Sequence, residues 1–152
     1  GIHGISDMPG HLIRRLHQAA VALFSETTAE YSITPVQYAT MAAAARFPSI
    51  DQRSLANLVA FDASTIGDVI RRLEGRGLLK RTSGVIDRRV KHVELTEDGH
   101  ALLDEIDPLI LQVQQALLAP LSSGEAAILM FLLRKLAALS NLRSPAPLRD
   151  PS

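Results

Sequence analysis

The stretch from Asp62 to Leu95 limits the possible folds more than any other part of the chain. Behind Asp62, a residue suited to cap a helix N-terminus, Ile66, Val69, Ile70 and Leu73 recur at i, i+3, i+4 and i+7. That spacing predicts a short amphipathic helix. Gly75 and Gly77 follow at once and supply the left-handed conformation in which helices end. Two extended runs, Leu78–Thr82 and Lys91–Leu95, then bracket the polar loop Ser83–Val90, where Gly84 supports a turn. These runs predict a small β-hairpin directly after the helix.

The flanking sequence supplies more helices. Thr34-Pro35-Val36-Gln37 combines a capping threonine, a proline at the first helical position and a glutamine that closes a capping box. The alanine-rich helix it opens runs to about Phe47, where Pro48 stops it. Asp51 caps a short helix that buries Leu55, Leu58 and Val59. Upstream, a long helix starts at Pro9-Gly10 and reaches about Glu30 on the stripe Leu12, Ile13, Leu16, Ala20, Leu23 and Phe24. Downstream, Thr96 opens a helix carrying Leu102, Leu103, Ile106, Leu109, Ile110, Val113 and Leu117, and Pro108 inside it should kink it. Ser122 and Glu125 form a second capping box, for a helix through Leu139.

Helix, tight turn, helix and hairpin, in that order, predict a mainly α fold of winged helix-turn-helix type over residues 34–95. Residues 9–33 and 96–140 read as a helical dimerisation region. Their leucine content exceeds what a monomer of this size needs, and short loops force that surface to be buried against something. Residues 1–8 read as a leader and 141–152, with three prolines, as a disordered tail.

At 152 residues the chain is one domain's worth. It contains no cysteine, which excludes disulfide scaffolds, thiolate metal sites and cysteine nucleophiles. No apolar run is long enough to span a membrane, so a cytoplasmic location is expected. The formal net charge of +0 hides an asymmetry. Between Asp62 and Lys91 eight Lys/Arg face four acids, an excess of four positive charges that the rest of the chain must offset. Such a stripe suits a polyanion, although a solvated charged surface would look the same on charge alone.

The outward face of the Asp62–Arg76 helix carries Ser64, Thr65, Asp68, Arg71 and Arg72. Small hydroxyls near the helix start suit base edges in a major groove, and arginines farther on suit bases or phosphates. In the loop, Asp87 is placed to hold an adjacent arginine. Either Arg88 or Arg89, with Arg89 favoured, then points into a minor groove. Gly67 and Asp68 are expected mid-helix on the DNA side.

Leu73-Glu74-Gly75-Arg76-Gly77-Leu78-Leu79-Lys80-Arg81, then Asp87-Arg88-Arg89 and Val93-Glu94-Leu95-Thr96-Glu97-Asp98-Gly99, resemble the end of the recognition helix, the wing and the return helix of MarR regulators. The resemblance covers about residues 9–140. It implies a homodimeric repressor whose two winged lobes bind a pseudo-palindromic operator in double-stranded DNA. One departure is Val85-Ile86, where polar residues are common just before the wing aspartate; a less solvated tip is expected. Met8–Leu16 and Ile33–Tyr38 are similar to the branch of that family that controls nicotinate and related aromatic-acid catabolism.

A small aromatic carboxylate, nicotinate or hydroxynicotinate, is the effector this resemblance implies. His11, Arg14, Arg15 and His17 place four potential cations in seven residues, and His11, Arg15 and Gln18 share one helical face. With Tyr38 to pack a ring, such a cluster suits a carboxylate; a solvated face is the plain alternative. An enzyme is disfavoured. The sequence has no phosphate-binding glycine loop and no catalytic triad pattern, and His92 and His100 make a weak metal pair, so no cofactor or metal is expected. A helical interaction module without DNA binding is the remaining rival.

Overall fold

The computed structural model describes residues 4–140, so the expected tail at 141–152 and the first three residues of the expected leader lie outside the described residues. Helix α1 (Pro9–Thr27) opens on a proline without a side-chain cap. Each later helix starts where the sequence supplies a side-chain acceptor. Thr34 and Gln37 exchange both capping-box bonds, at 3.2 and 3.0 Å, to start α2 (Pro35–Arg46). Asp51 accepts from the Ser54 amide at 3.0 Å ahead of α3 (Gln52–Leu58), and Asp62 from the Thr65 amide at 2.7 Å ahead of α4 (Ala63–Gly75). Thr96 caps α5 (Glu97–Leu118), which continues through Pro108, and Ser122 with Glu125 caps α6 (Ser123–Ala137).

The endings differ in detail from expectation. α1 stops before Glu30: the Thr28 hydroxyl donates back to the Phe24 carbonyl at 2.8 Å, a 3-10 turn follows, and Ser32 takes a left-handed φ of 50°. α4 is closed by Gly77 alone, while Gly75 stays helical. With φ of 73°, Gly77 donates to the Glu74 carbonyl and Leu78 to that of Leu73, at 2.9 and 3.0 Å. This is the paired ending that needs a residue free of Cβ strain.

The hairpin forms as β2 (Leu79–Ser83) and β3 (Lys91–Leu95), with Leu79 opposite Leu95 and Arg81 opposite Val93. It is not alone. A two-residue strand, β1 (Ile50–Asp51), pairs antiparallel with β3 to give a three-stranded sheet in the order β1-β3-β2. Two residues offer no alternation to read, so sequence periodicity was silent there.

Met41 of α2, Leu55 of α3, Ile66, Ile70 and Leu73 of α4 and Val93 of β3 are wholly buried against one another. Phe24 of α1 and Leu103, Ile106, Ile110 and Val113 of α5 extend this core along the helical arm. α6 buries none of its residues and meets α5 at 102°. Among the described residues no single helix is long and apolar enough to cross a membrane.

Candidate nucleic-acid interface

On α4, burial of Ile66, Val69, Ile70 and Leu73 turns Ser64, Asp68, Arg71 and Arg72 outward, and all four are exposed. Thr65 is half-buried and committed: its amide and its hydroxyl both donate to the Asp62 carboxylate, at 2.7 and 3.1 Å. Those bonds hold the Asp62 carboxyl below its ordinary range. Its hydroxyl oxygen keeps acceptor capacity, but the helix N-terminus is already satisfied by a carboxylate rather than open to phosphate.

Asp68 pairs with Arg71 at 2.9 Å, both side chains exposed. An exposed pair of this kind is worth about 0–1 kcal/mol, so Arg71 gives up little in exchanging it for a base or phosphate. Gly67 departs from expectation. It is buried, and a Cβ there would lie 3.5 Å from Gln52 Nε2, so it faces α3 and not the DNA side. A glycine contributes nothing to an apolar pattern, and its facing could not be read from one.

The basic stripe divides into two sets. Arg76 sends Nη1 and Nη2 to the carbonyls of Ser32 and Tyr31 at 2.8 and 2.9 Å. Arg81, half-buried, bonds Glu74 at 2.7 Å and Gln52 at 3.3 Å, and Lys80 pairs with Glu94 at 3.3 Å. These three hold the lobe together. Arg71, Arg72, Arg88, Arg89 and Lys91 remain on the surface.

In the wing, the Asp87 carboxylate accepts from the Arg89 amide at 3.0 Å and from Nε and Nη2 of the same residue at 3.1 and 3.2 Å. This forked bond pulls the Asp87 carboxyl below the usual range and fixes the direction of the guanidinium. Arg88 is exposed beside it. An open cleft of about 670 Å³ at the root of the wing is lined by Arg53, Arg81, Arg89 and Lys91 together with Asp51 and Gln52. Arg53 had no sequence signal; only the fold brings α3 beside the wing.

The four candidate effector residues are spread out within one protomer. Tyr38 lies against Phe24, ring centroids 6.3 Å apart, and donates its hydroxyl to Asp107 of α5 at 2.9 Å. Burial, then the Asp107 bond, pushes its phenol up to about 12. Half-buried His11 and exposed Arg15 and Gln18 lie earlier on α1. At 1.5 Å per residue they are about 20, 13 and 9 Å from Phe24 along the axis.

The sequence model of the MarR family matches residues 33–91. Over 134 residues the chain is 32% identical to the HTH-type transcriptional repressor NicR of Pseudomonas putida, covering 88% of this chain and 85% of that one. Among solved structures it is similar to BpsR of Bordetella bronchiseptica, whose DNA binding is regulated by 6-hydroxynicotinic acid. The TM-score is 0.86 and the identity 33%, over 90% of this chain and 98% of that one. It also superposes on an Escherichia coli MarR mutant complexed with operator DNA, with TM-score 0.82 and 25% identity over 90% and 99% of the two chains.

Proposed function

The chain belongs to the MarR family, whose members are DNA-binding transcriptional regulators and not enzymes, and from that premise we propose that it is a homodimeric repressor of a pseudo-palindromic operator. The carrying observation is the exposed face of Ser64, Arg71 and Arg72 on α4, in a chain whose wing also holds an exposed arginine in place through Asp87. Thr65 and Asp68 belong to the same face, and Arg88 meets phosphate while Arg89 enters the minor groove. Two such lobes reach successive major grooves about 34 Å apart when a second copy covers the apolar arm.

The effector in this reading is a small aromatic carboxylate, nicotinate or a hydroxynicotinate, that weakens DNA binding. The likeness to BpsR, whose DNA binding is regulated by 6-hydroxynicotinic acid, supports the class. His11 and Arg15, with Gln18, supply the anion's partners, and Tyr38 supplies a ring face. The Tyr38 hydroxyl is already given to Asp107, so the carboxylate belongs at the cations, not at the phenol.

Arg71→Ala tests the DNA half. It should cost about 1–3 kcal/mol of operator binding and relax specificity at one position per half-site; equal losses on operator and random duplex would move Arg71 to the backbone. Titrating nicotinate, hydroxynicotinates and salicylate into wild type and Arg15→Ala tests the other half. Unchanged ligand affinity in the variant would place the carboxylate elsewhere, and no release of DNA by any of them would remove the effector class.

A further inference from the structure

The wing tip carries an apolar pair that serves nothing within the chain. Val85 and Ile86 are 100% and 102% exposed, so neither touches the core. The loop that presents them is pinned from inside. Gly84 donates to the Val90 carbonyl at 2.8 Å, Val90 donates to the Asp87 carbonyl at 3.1 Å, and Asp87 grips Arg89. A Cβ on Gly84 would come within 2.5 Å of the Asp87 carbonyl oxygen, so the backbone turns there as tightly as glycine permits. Both apex residues are β-branched, and stiff at χ1. The result is a small, rigid apolar knob with Arg88 and Arg89 directly beside it.

Resting on the DNA-binding reading above, we infer that Val85 and Ile86 enter the minor groove together with the wing arginine and pack on its deoxyribose walls. Charge argues for this occupant, because exposed Arg88 and Arg89 follow the pair within three residues, Arg89 braced by Asp87, and guanidinium groups suit the negative potential of a minor groove. A protein partner fits poorly: two side chains ringed by arginines fall far short of the roughly 800 Å² per partner of a stable interface. Apolar side chains are a recurrent part of minor-groove binding surfaces, beside the basic side chains that sense groove width. The knob would add affinity that salt does not weaken. It would also disfavour G·C pairs under the wing, whose 2-amino group projects from the groove floor.

The test uses full-length protein and a duplex that wild type enriches from a random-sequence pool. Binding is measured from about 50 to about 300 mM salt for wild type, V85S/I86S and R88A/R89A. The serine variant should bind about tenfold more weakly at every salt concentration, the effect of losing some 55 Å² of apolar contact, with an unchanged slope. The arginine variant should instead flatten the slope, by about 0.9 per lost phosphate contact. Replacing G·C by inosine·C in the wing-contacted flank removes only the 2-amino group. It should strengthen wild-type binding and leave V85S/I86S unmoved. Equal affinities of wild type and V85S/I86S, or a changed slope in that variant, would overturn the inference. So would a change in the sedimentation of the DNA-free protein, which would assign the pair to a protein contact. If wild type enriches no duplex, the DNA-binding reading fails first and takes this one with it.

Discussion

The winged lobe and the helical arm treat apolar surface in opposite ways. In the lobe, Met41, Leu55, Ile66, Ile70, Leu73 and Val93 come from four different elements and shut one another away from water completely. In the arm, Phe131 is 63% and Ile128 60% exposed on α6, and Leu12, Ile13 and Leu16 of α1 are open as well. Both regions are helical, and every α-helix but α1 is capped by a side chain at its start. The difference is closure: three packed helices and a sheet enclose a volume, whereas α1 and α6 each leave large apolar side chains open. Exposed apolar side chains in such number are what a covering partner would shield, which is why the proposed second copy is placed there. The lobe closes its core within one chain, and the arm does not.

Phe131→Asp strikes the arm where the contrast is sharpest. Sedimentation should shift from dimer to monomer while the lobe keeps its helical circular dichroism, and operator affinity should fall by about 100-fold or more as bivalency is lost. An unaltered dimer would mean that α6 is not the covered face. Leu73→Ala strikes the lobe instead. Removing a wholly buried side chain from α4 should cost about 2–5 kcal/mol in urea unfolding, without changing the oligomeric state of the folded fraction.

Arg76→Ala probes the junction between the two regions. It removes two charge-assisted bonds to the Ser32 and Tyr31 carbonyls at an exposed site, for roughly 1 kcal/mol of stability. The smallest effect belongs to Tyr38, the lobe residue that donates to Asp107 in the arm. Its phenol is raised from 10.0 to about 12, so its contribution is full below pH 10 and is lost as pH rises through about 12. Absorbance titration of the tyrosinate band should show this, and Asp107→Asn should bring the phenol part of the way back. A titration insensitive to that substitution would leave burial as the sole cause.

Local signals made much of this architecture legible. Capping residues, apolar spacing and a glycine ending act within a few residues of one another, so Thr34, Asp51, Asp62, Thr96 and Ser122 marked their helices correctly. What escaped depends on tertiary partners. Strand β1 exists because β3 lies beside it. Charge counting put Arg76 and Arg81 in the basic stripe with the rest, and only the fold places the Tyr31 and Ser32 carbonyls, Glu74 and Gln52 in front of them. The Asp87–Arg89 pair was readable because its two members are two residues apart. The Tyr38–Asp107 pair spans 69 positions and was not.

The Arg76 fork has a mechanical side. Its guanidinium grips two successive carbonyls of the segment between α1 and α2, and Arg76 itself is the capping residue at the end of α4. A planar fork bound at two points resists twisting in a way that a single bond does not. The end of α4 is thus braced at two points against the segment that follows α1. Arg76→Ala would let the two move independently.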